Sequence, residues 1–287
     1  SGGREYTGMR ASPCVDKGEM TCMSCHTMHR PPSDTRPVEA WTDDQLGVGM
    51  RDNAACLQCH EMPDIAAHTH HAAESTGSNC YNCHMPHTSY SLLKAIRSHQ
   101  IDVPTVQSSL ATGRPNACNQ CHLDKPLGWA ADHLHAWYGT ERPEMSRDEE
   151  AIAASVLWAT RGHAGQRALA AWSMGWGAAK AASGSDWTAP HLAALLDDPY
   201  PAVRAIAYEA LRGVAGFEGY DYDRTALPPA RAAAAAQALT LWERQWPTTE
   251  REAPDPATLV GADGALDWDT VKRLLSERDN QTISWFE

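Results

Sequence analysis

Cys22-Met23-Ser24-Cys25-His26 is the first of four C-x-x-C-H pentapeptides in this 287-residue chain. Eight of the nine cysteines fall into these pentapeptides, and a histidine always follows the second cysteine. The eight cysteines are Cys22, Cys25, Cys56, Cys59, Cys80, Cys83, Cys118 and Cys121, and the four histidines are His26, His60, His84 and His122. The pattern is the attachment signature of haem c, in which both thiols bond to the porphyrin and the histidine ligates the iron. The sequence therefore predicts four haem c groups.

Zinc is the alternative cofactor, since C-x-x-C pairs also build tetrahedral zinc sites. A zinc site does not need a histidine directly after the second cysteine in all four copies, so haem is the preferred interpretation. The ninth cysteine, Cys14, is interpreted as a buried thiol, with an intermolecular disulfide or an axial ligand as the alternatives.

The composition changes near residue 140. Residues 1–140 contain all nine cysteines and twelve of the fourteen histidines, whereas the rest is rich in Ala, Leu and Trp. Up to residue 125 the chain has little helical or strand periodicity and few aliphatic side chains, so it cannot bury a core by itself. We predict a loop-rich tetrahaem domain over 1–140, whose folding depends on the attached haems.

From residue 143 onward the pattern predicts helices. Ser146-Arg147-Asp148-Glu149 is a capping box ahead of an apolar run over 151–158. Further helices are predicted over 166–182, 188–196, 202–214, 229–246 and 269–278, with an acidic loop over 248–256. The predicted fold class is therefore mainly α.

The segment 191–211 resembles a HEAT-type repeat. The likeness lies in the turn Asp198-Pro199 and in Val203-Arg204, which is followed by Ala and Leu at helical spacing. We predict a HEAT-like α-helical domain over 141–250 and a C-terminal tail with a short helix over 251–287. An ordinary helical bundle is the alternative to a solenoid.

Ten histidines remain for the second axial position of the four irons. His163 and His191 lie in the helical half and are interpreted as surface or packing residues. The other candidates are His29, His68, His70, His71, His87, His99, His133 and His135. Histidine on both faces lowers the reduction potential relative to Met/His ligation. Met28 and Met85 are the alternative ligands.

Several segments resemble multihaem cytochromes c with paired haem motifs, in which a tetrahaem module is often followed by helical repeats. The likeness covers residues 22–140. The segments are His68-Thr69-His70-His71, Ser75 with Gly77-Ser78, Cys80-x-x-Cys83-His84-Met85-Pro86, Arg97-Ser98-His99 and 115–125. The resemblance implies a loop-rich tetrahaem cytochrome c module with His29, His68, His71 and His99 as distal ligands.

Other histidines depart from that pattern. His87 stands where a Lys or Arg is expected, and His133 and His135 have no counterpart. Each is interpreted as a surface histidine, with replacement of an assigned ligand as the alternative. His70 is the rival of His71, since neighbouring residues point in different directions.

The formal net charge of the chain is -12, and neither half is basic. Nucleic acid and anionic lipid surfaces, which require clustered Lys and Arg, are therefore not expected partners. No apolar run is long enough to span a bilayer. Because haem c is attached outside the cytoplasmic membrane, we expect a periplasmic or extracellular protein whose leader is absent from this numbering.

These features predict electron transfer through four bis-histidine haems of low potential, and no enzymatic activity. The protein would be a carrier or a conduit subunit of a respiratory or extracellular assembly. Expected partners are redox proteins that dock through a haem edge or the helical half, with self-assembly or a membrane redox complex as further options. The alternative function is a reductase of a small nitrogen or sulfur compound at one iron with an open position.

Overall fold

The computed structural model describes residues 4–91, 94–246 and 253–281. It is mainly helical, which confirms the prediction of a mainly α chain. Part of the predicted loop over 248–256 and both ends of the chain lie outside the described residues. None of the helices in the described ranges is both long and apolar enough to cross a bilayer.

Short helices and turns precede residue 104, and longer helices follow. The helices are α1 (Arg4–Arg10), α2 (Pro13–Asp16), α3 (Val38–Thr42), α4 (Ala54–Leu57), α5 (Ile65–Thr69), α6 (Cys80–His84), α7 (Val106–Thr112), α8 (Ala117–Cys121), α9 (Leu127–Tyr138), α10 (Arg147–Ala151), α11 (Ala154–Thr160), α12 (Ala164–Gly175), α13 (Gly177–Ser183), α14 (Ala189–Leu195), α15 (Pro201–Arg212), α16 (Pro228–Gln245) and α17 (Trp268–Ser276). Two strands, β1 (His87–Ser91) and β2 (Lys94–Arg97), pair in a small sheet.

The structure divides into two compact units. The described part of the first unit is 4–86 with 97–103, and that of the second is 87–91, 94–96, 104–246 and 253–281. These units do not follow the predicted ranges 1–140, 141–250 and 251–287. The physical reason is that α8, which carries the fourth motif, packs on α12 and α13, and α17 joins the same core as the other helices. The position at which the predicted haem-bearing domain ends remains a prediction.

The first unit has almost no hydrophobic core. Of its described hydrophobic side chains, Ala55 and Tyr81 are the buried ones. Its exposed large apolar side chains are Tyr6, Met23, Met28, Val38, Val48, Leu57, Met62 and Val103. Few apolar side chains of this unit are therefore removed from water, so its own core contributes little to its stability.

The second unit has a well-packed core. Helix α12 packs on α15, while α14 packs on α11, α15 and α16. Buried side chains in this core include Val156, Met174, Leu192, Val203 and Leu211. At about 25 cal/mol for each Å² of apolar surface removed from water, such a core stabilises the helical unit without any cofactor.

The predicted helices are present, with two breaks in the helical pattern: the capping box opens α10, which ends at Ala151, and the apolar run over 151–158 continues in α11. The Ser146 hydroxyl accepts from the N–H of Glu149, and the Glu149 carboxylate accepts from the N–H of Ser146, as the capping box predicts. The single helix predicted over 166–182 is wrong, since the chain breaks at Trp176 between α12 and α13. Gly175 and Gly177 flank the break, and glycine is a poor helix former.

His191 is buried in the core of the second unit. Its side chain is 3% exposed, and its Nε2–H donates to the carbonyl oxygen of Thr258 at 2.9 Å. Burial lowers the pKa of His191 to about 4, and the hydrogen bond to Thr258 opposes this only in part. The interpretation of His191 as a packing residue is confirmed.

We expect His191 to lower the free energy of unfolding by about 3 kcal/mol between pH 7 and pH 4. Its pKa in the folded chain lies below the value of about 6.5 in the unfolded chain, so the unfolded chain binds the proton first as the pH falls. Urea unfolding followed by circular dichroism across this pH range measures the effect.

His191→Gln keeps an N–H donor for Thr258 and removes the titration. Its unfolding free energy should therefore lose that part of the pH dependence. His135→Gln, which changes an exposed ring, is the control and should keep the original pH dependence. The same pH profile in all three chains would contradict the prediction.

Candidate functional site

The histidine of the first motif is held by the loop over 34–47. The Nδ1–H of His26 donates to the carbonyl oxygen of Asp44 at 2.9 Å, and His26 forms an isolated β-bridge with Leu46. Arg36 fixes the loop by pairing with Asp34 at 2.6 Å and by donating to the carbonyl oxygen of Leu46. The hydrogen bond from Arg36 lowers the pKa of Asp34 to about 2, so the pair stays charged at neutral pH.

The third motif is held by its own variable residues. Tyr81 and Asn82, which lie between Cys80 and Cys83, are both buried. The Tyr81 hydroxyl donates to the carbonyl oxygen of Met50 at 2.5 Å. Arg97 donates to the carbonyl oxygen of Tyr81 at 2.9 Å and to Oδ1 of Asn82 at 2.7 Å. These hydrogen bonds fix the position of the third motif within the protein without any contact to a cofactor.

Two motif histidines lie opposite a second histidine. The ring centroids of His26 and His99 are 6.2 Å apart with planes inclined by 19°, and those of His68 and His84 are 6.3 Å apart with planes inclined by 10°. Imidazoles on opposite sides of one metal ion have centroids about 6.2 Å apart, twice the sum of a ~2.0 Å bond and ~1.1 Å from nitrogen to ring centre. Offset stacking allows a similar separation. Each pair, however, joins a motif histidine to one outside the motifs.

Hydrogen bonds determine which nitrogen of these rings can reach a metal. In three of the four rings Nδ1–H donates to a backbone carbonyl oxygen: His26 to Asp44 at 2.9 Å, His84 to Asp102 at 2.8 Å and His99 to Arg97 at 3.3 Å. Metal-ligating histidines use this contact to fix the tautomer and the ring orientation. Burial also lowers the pKa of His99, partly opposed by its bond to Arg97, which favours the neutral ring. Nε2 is therefore the nitrogen suited to a metal.

Burial affects three of the motif thiols. Burial raises the pKa of Cys25, Cys56 and Cys83, that of Cys56 to about 12 with a further contribution from Cys80. None of the nine cysteines, all in described ranges, forms a disulfide, and Cys14 is half-buried in α2.

The second motif lies beside a cleft in the first unit. The cleft measures about 630 Å³ and is lined by Leu57 and Gln58 of the motif together with residues from 73–79. This volume is in the range of small-molecule sites. Gln58 also donates to the carbonyl oxygen of Ser24 at 3.0 Å, so the first and second motifs are neighbours. His60 is exposed.

The fourth motif belongs to the second unit. Its variable residues Asn119 and Gln120 are buried. Gln120 accepts from the N–H of His87 at 3.1 Å and donates to the carbonyl oxygen of the same residue. The ring of His122 meets that of Trp129, with centroids 4.8 Å apart.

The three histidines of the segment 68–71 have different surroundings. His68 lies opposite His84. His70 ends α5 in the left-handed conformation with φ 56°. The ring of His71 covers Gly77, where an added Cβ would clash with the imidazole. The assignment of His71, like that of the exposed His29, stays a prediction.

One of the surface interpretations is wrong. His87 is buried at 8% exposure, with its ring 4.4 Å from that of Trp172 and 5.3 Å from that of Trp176. The reason is that β1 packs on α12, which carries Trp172. His135 is exposed, as interpreted, and His133 is half-buried.

Sequence reasoning missed two residues: Arg97, whose side chain holds the third motif, and Trp129, whose ring lies against that of His122. No local pattern reveals Arg97, because its partners in the third motif are distant in the chain. Trp129 could have been found, since Trp129, His133 and Trp137 recur at intervals of four on one helix face.

Within the part of the chain that the structure describes, no group of three or more His, Cys, Asp and Glu is arranged to hold a metal ion. No protein-family model matches the chain, and no match is found among curated proteins or solved structures.

Proposed function

We propose that this chain is an electron-transfer protein that carries four covalently attached haem c groups. The observation that carries the proposal is the pairing of His26 with His99 and of His84 with His68, at a separation that suits two imidazoles on one iron. A C-x-x-C-H motif supplies one histidine of each pair. When bound, the haem supplies an iron that gains and loses one electron.

The residues of the chain have three tasks in this proposal. The eight motif cysteines bond the porphyrins covalently, so the cofactors are not lost between turnovers. Backbone carbonyls such as that of Asp102 hold the imidazoles in one tautomer and orientation. His99 and His68 would each supply a second imidazole to a bound haem, which would leave no ligand position there for a substrate.

The shortage of core in the first unit supports the same proposal. With few buried apolar side chains of its own, this unit needs the apolar faces of the porphyrins for a stable fold. We propose that it folds on haem attachment. Because haem c is attached outside the cytoplasmic membrane, maturation on this proposal takes place in the periplasm or beyond the cell.

The helical unit is proposed to be a HEAT-like scaffold for a redox partner. The hairpin of α14 and α15, joined through Asp198-Pro199, and its packing on α11, α12 and α16 support this arrangement. Stacked helical hairpins present extended surfaces to other proteins. The protein would then act as a carrier or as a conduit subunit of a respiratory or extracellular assembly.

A reductase of a small nitrogen or sulfur compound is the second candidate. The observation that bears on it is at the fourth motif, where the ring of Trp129 lies against that of His122, with centroids 4.8 Å apart. An iron with an open position could bind such a compound.

Intact mass spectrometry of the chain matured in a periplasm tests the proposal. We expect a mass increase of four haem groups and low-spin EPR signals of the rhombic type, because the ring planes in both histidine pairs are close to parallel. A chain that matures with no haem contradicts the proposal. Carbon monoxide binding to the reduced protein at one iron in four would instead favour the reductase.

A further inference from the structure

A row of aromatic rings runs along α9 from the fourth motif. The ring centroids of His122 and Trp129 are 4.8 Å apart, those of Trp129 and His133 4.3 Å, and those of His133 and Trp137 4.9 Å. Tyr138 adjoins Trp137 at 6.2 Å. We call these five residues the α9 ring row. Its members from 129 to 137 share one face because they are spaced by four residues.

The position of the row is fixed from the other side of α9. Leu127, Ala130, Ala131 and Leu134 are buried in a small cluster with Val106. At the start of the helix, Asn119 of the fourth motif donates to the carbonyl oxygen of Lys125 at 2.9 Å. The Nδ1–H of His133 donates to the carbonyl oxygen of Trp129 at 2.9 Å. The rings are therefore held against each other by the fold of the second unit.

The far end of the row is open to solvent. Trp137 is 36% exposed and Tyr138 is 44% exposed. A ring that only fills a core would be covered, and buried aromatic side chains are the usual case. Exposed Trp and Tyr are common at the energetic centres of protein interfaces.

The surroundings of this end are acidic. Residues 132–144, which form the last turns of α9 and the segment after it, contain three carboxylates and one arginine. The arginine, Arg142, is already paired with Asp132 at 2.5 Å and with Glu150 at 2.8 Å. Glu141 and Glu144 are exposed beside them. The charge complements a basic surface, and Lys or Arg side chains of such a surface can also lie over the Trp and Tyr rings.

We propose that Trp137 and Tyr138 form the docking surface for a basic one-electron redox protein, and that the α9 ring row couples this surface to the iron ligated by His122. The inference rests on the proposed function. One electron leaves the ferrous iron of the fourth haem and reduces the ferric iron of the docked protein. The rings transmit the electron by tunnelling, so no ring is oxidised and no proton moves.

Two variants of the full four-haem protein separate docking from coupling. The probe is a small ferric cytochrome c with a lysine-rich surface, studied by calorimetry for its Kd and by stopped flow for its rate of reduction. Trp137→Ser should raise the Kd by about tenfold, as expected of an interface centre. Trp129→Leu leaves the docking surface intact, so it should lower the rate at saturation severalfold without changing the Kd, and Trp129→Phe should restore most of the rate.

Leu227→Ser is the matched control, because Leu227 is 77% exposed in the same unit and lies outside the row. Its Kd and rate should equal those of the original chain. The rate of the original chain should also fall as salt is raised from about 10 mM to about 150 mM.

The outcomes distinguish this inference from the proposed function. If the four haems are present and neither the Kd of Trp137→Ser nor the rate of Trp129→Leu changes, the docking surface is wrong and the proposed function stands. A chain that never acquires haem overturns both. Haem absorbance and reduction potential of each variant show whether Trp129→Leu has disturbed the iron site itself.

Discussion

In the four-haem protein that we propose, replacing His99 with alanine is expected to convert the iron held by His26 from low-spin to high-spin and to let it bind carbon monoxide when reduced. The ring of His99 lies 6.2 Å from that of His26, and both rings turn Nδ1 toward a backbone carbonyl oxygen. Without His99, that iron would have an open ligand position. The thioethers at Cys22 and Cys25 would not depend on His99, so all four haems should remain attached.

Optical and EPR spectra of the purified chain measure this change. His68→Ala should have the same effect at the iron held by His84, and the double variant should convert two irons of the four. His99→Met should instead keep the iron low-spin and raise its reduction potential, since Met/His ligation raises the potential.

His70→Asn provides the matched control within the histidine cluster. Asparagine tolerates the left-handed conformation that His70 adopts at φ 56°, so the backbone of α5 should be preserved. We expect its spectra to equal those of the original chain. High-spin iron in His70→Asn, with none in His68→Ala, would show that the wrong member of the cluster has been assigned.

Asp198→Ala is expected to destabilise the helical unit by about 3–5 kcal/mol, because it leaves a buried guanidinium without its carboxylate. The side chains of Arg167 and Asp198 are 1% and 0% exposed and pair at 2.7 Å through Nε and at 3.2 Å through Nη2. Asp198 also accepts from the N–H of Tyr200 at 2.8 Å, so the same carboxylate holds the turn between α14 and α15. Urea unfolding followed by circular dichroism measures the loss.

Asp197→Asn is the control for Asp198→Ala. Asp197 is the adjacent carboxylate, 39% exposed, and pairs with Arg231 at 3.3 Å. A surface pair of this kind contributes about 0–1 kcal/mol, so this substitution should have little effect. Arg167→Met combined with Asp198→Leu should recover much of the stability, since apolar side chains can replace a buried ion pair. Equal losses of unfolding free energy for Asp197→Asn and Asp198→Ala would contradict the assignment of Asp198 as the carboxylate that pairs with the buried Arg167.

Local patterns were sufficient for most of the helices. The capping box at Ser146 and the helix pair around Asp198-Pro199 depend on contacts within a few residues, and both are present. The break at Trp176 was missed because apolar spacing continues through it, while the glycines on either side decide the backbone. His87 was misjudged because its burial depends on α12, which is distant in the chain.

The sequence by itself determined the number of C-x-x-C-H motifs, and with them the predicted cofactor and its proximal histidines, because attachment needs five consecutive residues and no tertiary contact. Only the tertiary structure decided that His99 lies opposite His26 and that His68, rather than His70 or His71, lies opposite His84. The position of each of these rings depends on where the folded backbone brings it and, for His99, on the carbonyl oxygen of Arg97 that accepts from Nδ1. Neither is encoded in the spacing of neighbouring residues.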